Sequence, residues 1–409
     1  MTVAGFRTLD FDSFHRDELP ERLAAGNGAM AGRAAASLGS LALRLPDGRA
    51  FSYEPRDARI VLRAGDADAT TVMQLDPDEW EGLVHDYESA PGLLYGGRVK
   101  CVRGNAMHFV LWEPALRAMY SGRPVFVPEE ADLRDRDGSA LDAERSFRLD
   151  QDDANDMAHF LRTAGYLCLR GVFDEREVAA FHEEALELRA EAVKGDKLSW
   201  WGVGPAGEEL CCRVTRAADK PQLGSLRSDE RVDRLAALAD EKLERRGDLG
   251  SGVSEGSGVT CIYKLPGMTQ GLADLPWHRD CGMGGHSVMC PVFLCSVYLT
   301  PATADSGELR FLPGSHRGTY GFREATDPRA PAGAGFRAEP GDVSVHYGDV
   351  MHSAPPPARL DLDAYRISAV TGFARPDARN HRGDQSYNAV LHQREDGQIE
   401  HLAAVARRS

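Results

Sequence analysis

Short alternating runs of apolar and polar residues predict a small α+β unit in the first third of the chain. Asp47-Gly48 is a strong hairpin-turn signal between the first two runs. Asp76 and Pro77 mark the start of a helix, and a longer apolar helix is predicted over residues 109–120. The predicted strands lie near residues 41–45, 50–53, 60–62, 71–75 and 98–103. We therefore expect an N-terminal α+β domain at residues 1–127.

A different pattern follows in the rest of the chain. Residues 128–150 are acidic and poor in apolar side chains, which is typical of a solvated linker. Helical spacing then returns, with Asp174 and Glu177 placed to form a capping box, and from residue 259 to 373 short strands with Gly and Pro turns dominate. Antiparallel strands in this number are most economically closed as a jelly roll, or double-stranded β-helix. We expect that mainly-β fold, with flanking helices, at residues 151–395.

Length and charge favour a two-domain globular protein over a nucleic-acid-binding or membrane protein. The chain has 409 residues, and its formal net charge of −15 opposes binding to phosphate backbones or to an anionic membrane surface. No apolar run reaches the roughly 18–20 residues that a membrane span requires. Acidic residues stand where a signal peptide would be apolar, namely Asp10, Asp12 and Asp17. We expect a cytoplasmic location.

The eight cysteines show neither CxxC pairs nor the regular spacing of a disulfide framework, so we expect them to be mostly reduced. Cys211-Cys212 leaves a vicinal disulfide open as an alternative to two small side chains that fill space. Cys281 follows a candidate metal ligand, which predicts sensitivity to oxidation during uncoupled turnover.

The most informative chemical motif is Trp277-His278-Arg279-Asp280, followed much later by His352. On a β-strand alternate side chains share a face, so His278 and Asp280 can bind one metal ion together, and His352 can complete a facial set. Two histidines and one carboxylate leave three coordination positions open. Non-haem Fe(II) oxygenases use this arrangement because a co-substrate and O2 must both reach the metal. We predict no catalytic residue beyond these three metal ligands.

An arginine beyond the last metal ligand suggests the identity of the co-substrate. Arg366 offers a planar fork to a carboxylate, as 2-oxoglutarate would require. Ser368 would share its strand face and could hydrogen-bond the same carboxylate. Tyr263 and Lys264, on the strand before the metal motif, are further candidates for binding the co-substrate. Arg359 is a rival anchor, because Arg366 lies 14 residues beyond the last metal ligand.

The order of these motifs resembles that of the phytanoyl-CoA dioxygenase family. The resemblance covers about residues 152–376 and includes His278-x-Asp280, Pro313-Gly-Ser-His316, Gly341-Asp342, His352 and Arg366. It implies a double-stranded β-helix, Fe(II) as cofactor, 2-oxoglutarate and O2 as co-substrates, and hydroxylation with release of succinate and CO2. By match to the motif, the two histidines and the aspartate become iron ligands, and Arg366 anchors the distal carboxylate of 2-oxoglutarate. Relatives that halogenate carry Gly or Ala in place of the aspartate, so Asp280 favours oxygen transfer.

Three other histidines are alternative candidates for metal ligands. His346 competes for the distal position, because Gly-Asp-Val occurs on both sides of it. The motif position favours His352, which leaves His346 as a hydrogen-bonded strand residue. His286 and His316 are interpreted as a loop residue and a turn residue.

The N-terminal unit resembles sterol carrier protein-2-like domains over roughly residues 35–126. Those domains are α+β modules with an apolar tunnel for lipids, so the resemblance implies an apolar substrate. The alternative is a domain with a filled core that acts as a docking surface or joins two chains in a homodimer. Candidate residues of a substrate pocket are Trp200, Trp201 and Met283, although the tryptophans could equally pack in the core.

The sequence thus favours an oxidoreductase, an Fe(II)- and 2-oxoglutarate-dependent hydroxylase of a small apolar molecule of natural-product or lipid-like character. Desaturation or ring formation would use the same oxidant. A cupin-like lipid-binding protein without catalysis is one alternative, and retention of the triad with Arg366 argues against it. A catabolic acyl-CoA hydroxylase is the other, and the chain shows no Lys/Arg cluster placed for the nucleotide phosphates.

Overall fold

The computed structural model describes residues 6–245, 258–268, 275–280, 292–323, 327–360, 365–376 and 400–409. Within these ranges the chain forms three β-sheets and a set of helices that pack on them. No helix in the described ranges combines the length and the apolar character needed to cross a membrane.

The first sheet contains five strands and lies in the N-terminal third. Its strands are β1 Leu41–Arg44, β2 Ala50–Arg56, β3 Arg59–Ala64, β4 Thr71–Leu75 and β5 Val99–Arg103. Their order in the sheet is β3-β2-β1-β4-β5, and all neighbours are antiparallel except β1 and β4. Gly48, in the hairpin turn between β1 and β2, adopts a φ of +91°, which glycine tolerates best. The strands lie where the alternating pattern predicts them.

Helices and aromatic rings fill the space beside this sheet. The helices are Pro77–Val84, Ala90–Tyr95, Ala106–Ser121 and an N-terminal helical segment, residues 11–34, in which α- and π-helical turns alternate. Asp76 precedes the first of them without a side-chain capping hydrogen bond. The buried His15 ring stacks on Phe51 with 4.3 Å between centroids, and Phe11 meets Trp80 edge to face at 4.9 Å. This packing of the described residues favours the filled-core alternative over a lipid tunnel.

Two antiparallel sheets occupy the rest of the chain. Their strands are β6 Tyr166–Leu169, β7 Ser199–Val203, β8 Glu209–Val214, β9 Glu244–Arg245, β10 Val259–Lys264, β11 Leu275–His278, β12 Val292–Tyr298, β13 Leu309–Phe311, β14 Ala334–Phe336, β15 Val343–Tyr347, β16 His352–Ala354 and β17 Arg366–Ala374. The larger sheet follows the order β6-β15-β12-β17-β10-β8-β7, with β9 also paired to β17. The smaller sheet follows the order β11-β16-β13-β14.

One face of the larger sheet meets the smaller sheet, and the other face meets helices. The ring of Tyr166 on β6 stacks on Phe311 of β13 with 4.5 Å between centroids. Because side chains alternate along a strand, the residues in between point the other way, toward the helices. The helices of this part are Ala154–Ala164, Glu175–Ala190, Pro221–Ser225 and Glu230–Ala236. Asp174 and Glu177 form the predicted capping box at the second of them.

Segments outside the sheets join the two parts of the chain. Residues 128–150 are mostly exposed or half-buried, but Phe147 is buried and its N–H donates to the Cys168 carbonyl at 2.8 Å. The C-terminal helix Leu402–Arg408 packs on the N-terminal domain, and its Leu402 side chain joins that domain's core.

Cys211 and Cys212 carry free thiols, so no vicinal disulfide forms. Cys281, like His286, lies outside the described residues.

Candidate metal centre

Two histidines and one aspartate converge where β11 and β16 lie side by side. His278 and His352 are directly opposite each other in this antiparallel pair, and Asp280 follows on the chain. Asp280 Oδ1 lies 3.5 Å from His278 Nε2, and its Oδ2 lies 3.7 Å from His352 Nε2. One ligand atom from each of the three lies within 4.8 Å of the other two. This spacing fits a single metal ion held on one side.

Backbone carbonyls fix which ring nitrogens face the centre. His278 Nδ1 lies 2.8 Å from the Pro276 carbonyl, and His352 Nδ1 lies 3.0 Å from the Val350 carbonyl. Because a carbonyl oxygen only accepts, each Nδ1 carries the proton and each Nε2 keeps its lone pair for a metal. Burial, reinforced by the neighbouring His278 ring, lowers the pKa of His352 to about 3. The ring is therefore neutral at neutral pH, as a ligand must be.

The third ligand is ionised in this setting. Burial by itself would raise the pKa of Asp280, but the surrounding imidazoles of His352, His278 and His346 hold that pKa well below its usual range. The arrangement thus offers two neutral imidazoles and one carboxylate. Non-haem Fe(II) oxygenases with a facial triad bind their iron through the same set of donors.

The Pro313-Gly-Ser-His316 turn supports both ligand strands. Ser315 Oγ accepts the N–H of Met351, the residue before His352, at 2.8 Å. Arg279 stands between His278 and Asp280 in the sequence. Its Nη2 donates to the carbonyl of Ser315, at 3.0 Å, and to the carbonyl of Gly318. His316 itself lies in a short 3-10 helix with its Nε2 3.0 Å from the Arg162 carbonyl. It is a turn residue, as predicted.

His346 lies closer to the centre than the sequence indicated. It sits in β15 of the larger sheet, and its Nε2 is 3.4 Å from Asp280 Oδ2. Its ring centroid lies 4.7 Å from that of His352. The group whose ligand atoms all lie within 4.8 Å contains His278, Asp280 and His352 but not His346. His346 is therefore a strand residue, as predicted, and also a hydrogen-bonding neighbour of the metal carboxylate, which no sequence motif indicated.

Arg366 is a buried cation without a carboxylate partner in the described part of the chain. It opens β17, is only 6% exposed, and its Nε has no hydrogen-bond partner there. Burial lowers the pKa of Arg366. Arg359, the rival anchor, is exposed. A buried guanidinium costs free energy unless it is paired, so Arg366 marks a place for an anion.

The neighbours of Arg366 on the inner face of the larger sheet are polar. Ser368 shares that face two residues along β17, and Tyr298 of β12 lies directly opposite Ser368. Lys264, directly opposite Arg366 on β10, is buried and donates from Nζ to the Ala354 carbonyl at 2.6 Å. Ala354 stands two residues after His352, so Lys264 links β10, the strand paired with β17, to a ligand strand. Tyr298 was missed from the sequence, because β12 carries no motif around it.

Tyr263 does not reach the candidate site, which corrects its assignment as a residue that binds the co-substrate. It precedes Lys264 on β10 and therefore points to the opposite face of the sheet. Its hydroxyl donates to the Ala185 carbonyl in the helix Glu175–Ala190 at 2.6 Å, and the side chain is fully buried. Tyr263 is a core residue between sheet and helix.

Tyr263→Phe is expected to lower stability without changing the use of 2-oxoglutarate. The substitution removes one buried hydrogen bond, which predicts a loss of about 1 kcal/mol in the free energy of unfolding. Denaturant unfolding and the KM for 2-oxoglutarate would be measured on the same preparation. If the KM for 2-oxoglutarate rose while the stability stayed constant, Tyr263 would have to be a residue that binds the co-substrate.

The candidate pocket residues have different surroundings. Trp200 is buried with Cys212 and Met268, and the Arg213 guanidinium lies 4.3 Å from its ring centroid. Trp201 is half-buried against the main core. The structure therefore places both tryptophans in packing contacts, while Met283 lies outside the described residues.

Residues 161–357 match the sequence model of the family described as Phytanoyl-CoA dioxygenase (PhyH). The match includes the His278, Asp280 and His352 triad and the turn at residues 313–316, and it ends before Arg366. No curated protein matches the chain at a significant level.

Several solved structures are similar to this chain. AviO1 from Streptomyces viridochromogenes Tue57 is 22% identical with a TM-score of 0.41, over 56% of this chain and 97% of AviO1. The epimerase SnoN, in complex with Fe3+, alpha ketoglutarate and nogalamycin RO, is 22% identical with a TM-score of 0.42, over 56% and 86%. EctD from S. alaskensis with bound Fe is 18% identical with a TM-score of 0.40, over 64% and 89%. These similarities are too distant to inform the chemistry, which rests on the family match and the geometry.

Proposed function

We propose that this chain, whose residues 161–357 belong to the phytanoyl-CoA dioxygenase family, hydroxylates an unactivated C–H bond of a hydrophobic small molecule. The chain is a 2-oxoglutarate-dependent non-haem iron dioxygenase, with Fe(II) as its metal and 2-oxoglutarate and O2 as co-substrates. The family implies a small-molecule substrate. We propose in addition that the substrate is lipid-like or a natural product, and that the reaction is a hydroxylation.

The observation that carries the proposal is Arg366, which is buried on the inner face of the larger sheet and has no carboxylate partner among the described residues. A facial triad alone is compatible with several metals and with a structural role. A buried guanidinium that lacks a carboxylate among the described residues adds a demand for an anion. The distal carboxylate of 2-oxoglutarate meets that demand through a bidentate pair. Metal centre and anchor together therefore favour catalysis over the cupin-like binding protein.

The residues of this chain bind and orient the reactants. Bound iron and 2-oxoglutarate would supply the oxidising power, one oxygen atom of O2 entering the substrate and the other entering succinate as CO2 leaves. His278, Asp280 and His352 would hold the metal on one side and leave the opposite side to the co-substrates. Arg366, Ser368 and Lys264 would fix the far end of 2-oxoglutarate. Asp280 occupies the position that is Gly or Ala in halogenating relatives, which supports oxygen transfer.

The finer architecture is part of the proposal. We infer that the larger and smaller sheets form a jelly roll, supported by their antiparallel strands and by the contact of His346 on the larger sheet with Asp280 on the smaller. The relation of the N-terminal domain to sterol carrier protein-2 rests on the order of its elements. The division at residues 1–127, 128–150 and 151–395, a cytoplasmic location and a homodimer through the N-terminal domain also stand as proposals.

Anaerobic addition of Fe(II) and then 2-oxoglutarate is the direct test of the metal centre and the co-substrate. We expect the visible charge-transfer band of an iron-chelated keto acid, because the triad leaves adjacent positions for the two chelating oxygens. Succinate release in air would then be screened with fatty acyl and isoprenoid compounds, and with polar amino acids as the comparison set. Absence of the band in protein that contains iron would contradict the function. Stimulation by the polar compounds alone would contradict the proposed substrate class.

A further inference from the structure

A cluster of six charged side chains lies between the N-terminal domain and the ligand strand β11. Three are acidic and three are basic, so their formal charges cancel: Asp86, Glu113 and Asp349 against Arg117, Arg123 and Arg279. We call this set the interdomain charge cluster. Four of its members come from the N-terminal part of the chain, and Arg279 and Asp349 come from the dioxygenase part.

Arg279 connects the cluster to the metal centre. It stands between the candidate ligands His278 and Asp280, and its side chain contacts Asp349 and the carbonyls of Ser315 and Gly318. The side chain is 7% exposed, and Nη1 lies 3.8 Å from Asp349 Oδ1. Asp349 stands three residues before His352. Arg279 and Asp349 are therefore both close in sequence to a candidate metal ligand.

Arg123 carries the connection across to the N-terminal domain. Its Nη2 lies 3.4 Å from Asp349 Oδ2, and its Nη1 lies 2.7 Å from Asp86 Oδ2. Asp86 Oδ1 in turn lies 3.5 Å from Arg117 Nε, and Arg117 pairs with Glu113 one helical turn earlier. A chain of alternating charges thus runs from the helix Ala106–Ser121 to β11.

The cluster is shielded from solvent. The exposed fraction of its side chains ranges from 4% for Arg117 to 22% for Arg123. A cavity of about 40 Å³ beside it is lined by Glu113 and Arg117 from one domain and by Trp277 and Arg279 from the other. That volume has room for only a few water molecules. Removing one charge therefore leaves an opposite charge uncompensated in a poorly hydrated place.

We propose that the N-terminal domain positions the metal-binding strands, through the contact of Arg123 with Asp349, which in turn pairs with Arg279. The proposal rests on the proposed function of the triad. Arg123, Asp349 and Arg279 act as positioning residues, since none of them is a metal ligand. The N-terminal domain is in this view a structural part of the dioxygenase rather than an independent carrier of the substrate.

Arg123→Met in the full chain tests the proposal with two readouts. The apparent Kd for Fe(II) should rise by about tenfold or more, as for other residues that support a metal ligand. In the protein without metal, hydrogen exchange should accelerate at the amides of Trp277, Asp280 and Met351. These amides donate to the Arg323 carbonyl, the Gly348 carbonyl and Ser315 Oγ respectively. Arg123→Lys, which keeps the charge, should restore much of both.

Arg98→Met is the matched control within the same domain. Arg98 forms a two-point pair with Glu88 at 2.8 Å, and its side chain is 21% exposed against 22% for Arg123. Both variants should lower the melting temperature, but Arg98→Met should leave Fe(II) affinity and exchange at β11 and β16 at the wild-type values. Asp86→Asn serves if Arg123→Met fails to fold.

The outcomes separate this proposal from the function on which it rests. Equal effects of Arg123→Met and Arg98→Met on exchange at β11 and β16 would reduce the cluster to a stabilising contact and overturn the proposal. A wild-type protein that binds no iron would overturn the proposed function instead. The exchange comparison in the protein without metal would still decide whether the N-terminal domain holds the strands.

Discussion

Replacing His352 with alanine is expected to abolish iron binding and with it the turnover of 2-oxoglutarate. His352 supplies one of the three ligand atoms that lie within 4.8 Å of one another. Loss of an outer partner of a metal ligand weakens binding about 10- to 100-fold, so loss of a ligand itself should exceed about 100-fold. Alanine also leaves the carboxylate of Asp280 with one fewer imidazole beside it. Iron content, the charge-transfer band and succinate release would be measured together.

His316→Ala is the matched control, since His316 is a half-buried histidine of the same domain. Its Nε2 lies 3.0 Å from the Arg162 carbonyl, and the contacts of this turn with the ligand strands are made by Ser315 and not by the His316 side chain. This variant should lose about 1–3 kcal/mol of stability, because a buried group is left unpaired, and should keep iron binding. Wild-type iron affinity in His352→Ala would refute the triad. His346, 3.4 Å from Asp280 Oδ2, would then be the ligand to test in its place.

Arg366→Met should weaken 2-oxoglutarate binding and, at the same time, stabilise the protein that lacks it. Truncating one partner of a buried charge pair costs about 3 kcal/mol, which corresponds to a rise of about 100-fold in the KM for 2-oxoglutarate. Without the co-substrate, Arg366 is a buried cation with no carboxylate among the described residues. A methionine of similar length removes the cost of burying this unpaired charge. The free energy of unfolding should therefore rise by about 1–3 kcal/mol.

The two effects of Arg366→Met have opposite signs, which separates a binding residue from a structural one. A structural arginine would lose stability on substitution and leave the KM nearly constant. Arg359→Met is the control, because Arg359 is the exposed rival on the same connection. It should change neither quantity. A large KM effect in Arg359→Met with none in Arg366→Met would transfer the anchor to Arg359.

The candidate metal ligands could be predicted from the sequence, because the prediction needs only the spacing of residues on a strand and the order of motifs along the chain. His278 and Asp280 stand two residues apart on a strand, and the period of two in side-chain direction needs no tertiary information. His352 and Arg366 follow from the order of motifs along the chain. The strands β1 to β5 likewise follow from alternation and from the Asp47-Gly48 turn.

The side of a strand that faces a site is a tertiary matter. The sequence suggests both Tyr263 and Lys264 as residues that bind the co-substrate. Consecutive strand residues point to opposite faces, so at most one of the two can do so. The helix Glu175–Ala190 packs on one face of β10 and takes the Tyr263 hydroxyl. Lys264 is thereby left on the inner face, opposite Arg366. Alternation alone could not tell the two faces apart, because both are buried.

By itself, the sequence predicted the strands β1 to β5, the three candidate metal ligands and the arginine that suggests a carboxylate co-substrate. Only the tertiary structure decided the orientation of Tyr263, the approach of His346 to Asp280 and the union of the N-terminal domain with the metal strands. Arg123 and Asp349 meet although 226 residues separate them in the chain. Contacts between residues so far apart leave no periodic signal in the local pattern, since they arise only when separately formed layers pack together.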